Sequence, residues 1–417
     1  MTNRFGERNA SMTRDLILPA SMACTERRPA PVPNGLSCRC PRRIDLMDKN
    51  SIPTPAMLLD LHLFNRNIRR MAQFFDHRPA KLRPHFKAHR CLEIARRQCA
   101  SGAIGITCSS IWDAASLVNH GMDHVLVANE IASDEKLACA ARLCRERKDV
   151  IVGVDNLTLA RTMDRVGFAN GTRLNVLLDV NVGMNRCGLV PGTELSRLAH
   201  FCSQARGLCF RGVMGYEGHV AGGPRSAGKA ARIRKALSVL TRVADDLRKD
   251  GIPVGIVSAG GSSTYWATGE FPGVTEVQAG SYFAMEPSLV GTGVDFSLAA
   301  TVLTTIISTP RKGYAIGDAG RKAFHPSHGM PVPKSLKGAV VEQLHAEHCI
   351  INLSAQKRHP RVGQKIECFV PYVDGTFNLY DRIYVVHKGK VEGIWDILPR
   401  NPGGEAIPSR NATSAMM

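Results

Sequence analysis

No run of apolar residues in this 417-residue sequence is long enough to span a bilayer, which takes about 20. No membrane partner is expected. The first residues lack a secretory pattern: Met1 to Ala10 is polar, and Leu16-Ile17-Leu18 is too short for a signal core. The thirteen cysteines form no CxxC pair and keep no regular spacing. That argues against a disulfide framework and for reduced thiols in a cytoplasmic protein. Cys38-Arg39-Cys40 has no further cysteine or histidine near it and is not read as a metal site. Acidic residues are the scarcer charge, 36 against 54 Lys and Arg, for a formal net charge of +18. Yet no dense basic run is interleaved with aromatics, so a nucleic-acid partner is not expected. Attraction of phosphate or carboxylate ligands accounts for the charge as well.

What is present is ample apolar material, 44% of residues, enough for one large domain or two. Residues 1–50 are rich in Arg, Pro and Ser without lasting apolar periodicity. They read as a disordered extension, or as the product of a start codon upstream of Met47. Thr54–Asp60 reads as a strand. Leu61 to Phe75 reads as a helix with Leu63, Ile68, Met71 and Phe74 near one face.

Short apolar runs then recur at Leu82–Lys87, Ile104–Cys108, Val125–Ala128, Val150–Val154, Leu174–Val180, Gly212–Tyr216, Gly255–Ser258 and Glu276–Ser281. Most are separated by helical stretches, among them Leu92–Ala100, Ile111–Asn119 and Ala230–Lys249. Such repetition implies parallel strands with crossover helices. Eight strands predict an α/β fold with a TIM-like (β/α)8 barrel, a doubly wound sheet being the alternative. After about residue 300 the helical period vanishes and short strands follow one another, which predicts a C-terminal all-β domain. The partition is 1–50 as the extension, 51–300 as the barrel domain, 301–401 as the β domain and 402–417 as a loose tail. The strand at 51–60 is also open to joining the β domain, with the barrel then inserted into it.

Barrel active sites lie at the C-terminal ends of the strands. Lys87 is the lone lysine among those ends, within Arg83-Pro84-His85-Phe86-Lys87-Ala88-His89. After the seventh strand comes Gly260-Gly261-Ser262-Ser263-Thr264, and after the eighth Gly280-Ser281-Tyr282. Gly- and Ser-rich turns at these ranks are where a barrel cradles a phosphate. A phosphate cradle and one inward amine are what pyridoxal 5'-phosphate (PLP) requires, the amine forming the Schiff base. Arg186 is either a partner of the pyridine nitrogen or a structural ion pair.

The motif at 83–89 resembles the cofactor-lysine signature of the fold-type III PLP enzymes related to D-threonine aldolase and eukaryotic-type D-serine dehydratase, which share an alanine racemase N-terminal-like barrel. Thr54-Pro55-Ala56, Gly183-Met184-Asn185-Arg186-Cys187-Gly188, Gly215-Tyr216-Glu217-Gly218-His219, Ala279-Gly280-Ser281-Tyr282 and Thr376-x-Asn378-Leu379-Tyr380-Asp381 are similar to the same family, in the expected order. The resemblance implies Lys87 as the Schiff-base lysine and a base. It implies cofactor contacts from Arg186, Tyr216, Gly260, Gly261, Ser262, Ser263, Gly280, Ser281 and Tyr282. His85 or His89 would handle a substrate proton, His89 alternatively orienting Lys87. It also implies a homodimer and a D-3-hydroxy amino acid as substrate.

One element departs from the family. Its relatives hold a divalent metal with a late Pro-x-His-x-Asp or Pro-x-His-x-Cys motif. Here the stretch is Pro371-Tyr372-Val373-Asp374, with Tyr372 where the histidine is expected. Asp374 remains a ligand candidate, whereas a neutral phenol is a poor one. His345, Glu347 and His348 offer a substitute, with at most one of the two histidines on the right face of a strand. The reading is a PLP lyase of the aldolase or dehydratase type. A metal-independent PLP racemase and a non-catalytic PLP-binding protein are the alternatives.

Overall fold

The computed structural model describes residues 47–146 and 149–399. The predicted tail at 402–417 and nearly all of the N-terminal extension, with Cys38 and Cys40, lie outside the described residues. In chain order the first half contains β1 (Ala56–Asp60), α1 (Leu61–Phe75), β2 (Lys81–Leu82), α2 (Leu92–Ala100), β3 (Ile106–Cys108), α3 (Ile111–Asn119), β4 (Val125–Glu130), α4 (Asp134–Glu146), β5 (Ile151–Val154) and α5 (Leu157–Ala169). There follow β6 (Leu174–Asp179), α6 (Thr193–Gln204), β7 (Leu208–Met214), α7 (Ala227–Lys249), β8 (Ile256–Ala259), α8 (Tyr265–Thr268) and β9 (Glu276–Val277).

Strands β2 to β9 form one parallel sheet in the order β2-β9-β8-β7-β6-β5-β4-β3. A parallel bridge between His85 and Thr107 joins its two ends and closes the barrel. Leu126, Ile151, Leu177 and Met214 form an apolar cluster on these strands. Met214 reaches over Gly153, where a Cβ would sit 2.6 Å from its terminal methyl. Helices start where side chains satisfy the free N–H groups of the first turn. Ser110 caps α3, Asn156 caps α5 and Ser226 caps α7. The core-facing row of α1 is Phe64, Ile68, Met71 and Phe75, one position round from the predicted face. Leu63 and Phe74 are only half-buried. Each buried side chain of that row contributes about 1.5–3 kcal/mol. Buried Asn67 donates to Phe283 O and Ser297 O at 3.0 and 2.8 Å, tying α1 to the chain that leaves the barrel.

The predicted strand Leu82–Lys87 is shorter than its apolar pattern. Only Lys81–Leu82 is regular strand, and Phe86–Ala88 is one turn of 3-10 helix. The backbone keeps its cross-strand bonds as far as His85 N, which donates to Ala279 O at 3.0 Å. His85 Nδ1 then accepts the Lys87 N–H at 3.4 Å and starts the turn.

The β domain comprises β10 (Ala300–Ser308), β11 (Tyr314–Gly317), β12 (Val332–Pro333), β13 (Val340–Leu344), β14 (Cys349–Asn352), β15 (Lys365–Phe369), the one short helix α9 (Val373–Phe377), β16 (Arg382–His387) and β17 (Lys390–Asp396). β1 belongs to this sheet: it pairs antiparallel with β10 and parallel with β16. Its inward residues Ala56 and Leu58 share a core with Leu303, Val386 and Val391. The chain thus begins in the β domain, builds the barrel and returns. No helix among the described residues is long and apolar enough to cross a membrane.

Candidate active site

A cavity of about 590 Å³ opens at the C-terminal ends of the barrel strands and is bounded on one side by the β domain. Lys87 reaches it from the 3-10 turn after β2. Its Nζ lies 3.5 Å from Asp374 Oδ2 on α9 of the same chain. His85 also lines the cavity. Burial, with Lys87, His89 and Arg186 nearby, holds its imidazole well below the usual range and therefore neutral.

Two predicted residues point elsewhere. His89 is fully buried against the rings of Phe86 and Phe283. Its Nδ1 accepts the Cys91 N–H at 3.1 Å, so its proton sits on Nε2, towards Gln98. Burial drives its pKa down to about 3. Tyr282 is equally buried, and its hydroxyl accepts from Gln98 Nε2 at 3.1 Å. Only the backbone of Tyr282 serves the site, donating to Ser262 Oγ at 3.0 Å. Arg83, from the same motif as Lys87, is structural. It makes a two-point ion pair with buried Glu276 at 3.0 and 2.8 Å across the β2–β9 seam.

That Tyr282–Ser262 bond brings the two Gly/Ser turns together, and Gly260, Gly261, Ser262, Ser263, Gly280 and Ser281 all line the cavity. Gly260 adopts φ +83°, which a side chain disfavours. Its N–H is fixed on Glu217 Oε2 at 3.1 Å. A Cβ on Gly280 would lie 3.2 Å from Ala88 and 3.3 Å from His85, so the turn packs directly on the Lys87 segment. On Gly261 it would lie 3.3 Å from the Tyr216 ring. The result is a concave, side-chain-poor cradle facing an amine, which suits a cofactor with a phosphate at one end and an aldehyde at the other.

Arg186 and Asp179 line the same cavity. The Arg186 guanidinium sits 5.8 Å from the centre of the Tyr216 ring. Asp179, at the end of β6, has its carboxyl raised by burial and by neighbouring Glu130. Tyr216 is likewise raised, first by burial, and stays protonated.

The β-domain wall carries Tyr372, Asp374 and His328, and Glu286 joins them from the loop after β9. The buried Glu286 accepts the Val373 N–H at 3.0 Å through Oε1, and its Oε2 lies 2.7 Å from His328 Nδ1. The His328 ring packs on Tyr372, centroids 4.1 Å apart, and His325 meets the same ring at 5.4 Å. Burial, Asp374 and Glu286 push the Tyr372 phenol up to about 12. A phenol held protonated is not an anionic ligand, and the Asp374 carboxylate faces the Lys87 amine at 3.5 Å. Among the described residues no group of three or more His, Cys, Asp or Glu side chains has a metal-holding arrangement. The donor set here does not fit a divalent cation. His345, Glu347 and His348 do not replace it. They occupy the β13–β14 connection rather than the faces of a strand, away from the cavity lining, with Glu347 paired to Lys322.

Asp179 stands at a strand end that the sequence marks, whereas Gln278, Glu286 and His328 were not selected from the sequence. The two histidines of Phe324-His325-Pro326-Ser327-His328 were the available signal for the last, but nothing local connects them to Glu286.

Residues 59–286 match the alanine racemase N-terminal domain family, and residues 299–386 match the serine dehydratase domain family. A D-threonine aldolase of Arthrobacter sp. is 33% identical over 353 residues, 84% of this chain and 93% of that protein. A D-threo-3-hydroxyaspartate dehydratase of Delftia sp. (strain HT23) is 31% identical over 285 residues, 67% of this chain and 74% of its own. Among solved structures, the D-threonine aldolase from Filomicrobium marinum superimposes with a TM-score of 0.81 at 32% identity, over 84% of this chain and 97% of the other.

Proposed function

This chain belongs to the alanine racemase N-terminal domain family, and from that premise we propose that it is a PLP-dependent lyase acting on D-3-hydroxy amino acids, of the aldolase or dehydratase type. The observation that carries the reading is the Lys87 amine lining one cavity with the paired Gly/Ser cradle. When bound, PLP supplies an electron sink for negative charge at the substrate Cα.

The chain's own residues do the rest. Ser262, Ser263, Gly280 and Ser281 receive the phosphate, and Gly260 and Gly261 keep the loop low enough to approach it. Lys87 carries the cofactor and moves the Cα proton. Asp374 holds the Lys87 amine in place. Tyr216 and Arg186 bound the ring, and Asp179 neighbours Arg186 on that side. His85, kept neutral, accepts the Lys87 backbone N–H through Nδ1, so its proton sits on Nε2 as a donor near Lys87. His89 acts behind the site, packing the turn that carries Lys87. A cytoplasmic homodimer is part of the same proposal. The ten described cysteines are free thiols, in keeping with a reducing compartment.

The test is a spectrum followed by products. Purified protein, or protein given PLP, is expected to show a Schiff-base band that borohydride removes, and Lys87→Ala is expected to lack it. With D-threonine, aldolase chemistry yields acetaldehyde and glycine. With D-serine, dehydratase chemistry yields pyruvate and ammonia. None of these products, with or without added metal, sinks the proposal, and racemisation of a single enantiomer instead would replace it.

A further inference from the structure

The mechanism above leaves one constellation unused, the carboxylate–imidazole pair that joins the loop after β9 to the β domain. Glu286 is buried to 4% exposure. A buried carboxylate demands several donors, and Glu286 has them. Oε1 accepts from Val373 N–H at 3.0 Å, and Oε2 accepts from Ser288 Oγ at 3.4 Å and stands 2.7 Å from His328 Nδ1. A carboxylate only accepts, so the Nδ1 of His328 is the donor. In the neutral imidazole this leaves a lone pair on Nε2. The ring cannot turn freely, because one face packs on Tyr372 at 4.1 Å between centroids. Both His328 and Glu286 line the cavity, and so does Asp374, which touches the Lys87 amine. The β-domain wall is therefore the one that a substrate held next to Lys87 would meet.

We propose that His328, oriented by Glu286, is the general base for the substrate's β-hydroxyl and performs this step without a divalent metal. The proposal rests on the lyase reading above. In carbon–carbon cleavage, the β-O–H bond breaks with its proton passing to His328 Nε2. The oxygen–carbon double bond forms as Cα–Cβ breaks, and the electron pair of that bond stays on Cα. A proton added to Cα then completes the balance: one D-3-hydroxy amino acid gives one aldehyde and one glycine. Tyr372, whose phenol remains protonated, keeps a hydroxyl donor beside the same oxygen. Glu286 is a positioning residue: it fixes the tautomer and the ring and stabilises the imidazolium that forms.

The experiment compares wild type, His328→Gln and Glu286→Gln as holoenzymes. Cleavage of D-threonine is followed beside a reaction that needs no β-hydroxyl, the exchange of a glycine Cα hydrogen in D2O read by proton NMR. His328→Gln is expected to lower kcat for cleavage by about 100-fold or more, with glycine exchange within a few-fold of wild type. Glu286→Gln is expected to lower kcat with KM unchanged. Added imidazole is expected to restore part of the cleavage lost in His328→Ala. Wild-type cleavage is expected to survive EDTA. Equal loss of cleavage and exchange in His328→Gln would overturn the assignment, as would full cleavage in that variant or cleavage that EDTA abolishes and Mn²⁺ restores. Absence of both reactions, and of the Schiff-base band, in wild type counts against the lyase reading itself, a separate outcome.

Discussion

The two walls of the cavity are made of different material. The barrel wall has a stretch that is mostly backbone, Gly260, Gly261, Ser262, Ser263, Gly280 and Ser281, beside the side chains of Lys87, His85, Asp179, Arg186 and Tyr216. The wall made by the β domain and the loop that leaves the barrel is mostly side chains able to move or hold a proton: Tyr372, Asp374 and His328 from the first, Glu286 from the second. Backbone N–H groups suit a phosphate because they are fixed and cannot titrate. Side chains suit a reaction because a change of one residue changes the chemistry. The barrel wall follows its family's motifs, while the β-domain wall departs from them at Tyr372. A cofactor pocket and a reaction pocket can therefore diverge separately inside one enzyme.

The largest effect that would break this division is expected at Lys87. Lys87→Ala removes anchor and base together, and its loss of turnover is expected to exceed the ~10⁴-fold that a proton-transfer group alone contributes. A variant that retained turnover would mean that the amine had been assigned to the wrong wall. Next is the cradle. A side chain at Gly280 meets Ala88 and His85 at 3.2–3.3 Å, and overpacking of this kind costs about 1–3 kcal/mol. Gly280→Val is expected to weaken PLP affinity by about 10- to 100-fold, read by titrating the apoenzyme spectroscopically.

The comparison is sharpened from the other side by Tyr372→His, which restores the His-x-Asp spacing beside Asp374. The expected outcome is a Mn²⁺ response of several-fold in cleavage, absent in wild type, with PLP affinity unchanged. An unchanged metal response would show that the wall's other residues, not Tyr372 alone, set its chemistry.

The last effect falls on stability rather than on turnover and concerns His89, behind the barrel wall. Its folded pKa of about 3 lies below the ordinary imidazole value of 6.5. Between those pH values the unfolded chain binds a proton that the native one refuses. Stability is therefore lost as pH falls from 6.5 towards 3, by up to about 1.4 kcal/mol per pH unit from this residue. His89→Asn is expected to flatten that part of a denaturation-versus-pH series.

The barrel was legible in the sequence because its signals are local. Helices Leu92–Ala100 and Ile111–Asn119 coincide with their apolar periods, and the glycine turns mark the ends of β8 and β9. Features that depend on contacts between distant segments were not legible. The allegiance of β1, open in the sequence between barrel and β domain, depends on its pairing with β10 and β16. The pairing of Glu286 with His328 joins a loop after the last barrel strand to a loop of the other domain. Pro84 and the His85 side chain ended the first barrel strand earlier than its apolar pattern indicated. β11 is too short to show alternation, and Gly393 interrupts the inward row of β17 between Val391 and Trp395.

The pairing of β1 with β16 has a consequence for how the protein is made. β1 leaves the ribosome early, carrying Ala56, Met57, Leu58 and Leu59 that are all buried in the finished fold. One of its hydrogen-bonding edges belongs to β16, among the last strands to be synthesised. Through most of translation this apolar strand waits with open edges while the barrel is built after it. An unpaired strand edge invites another chain. Shortening the gene after the barrel would make that wait permanent, and such a fragment is expected to aggregate in the cell even though every barrel strand is present.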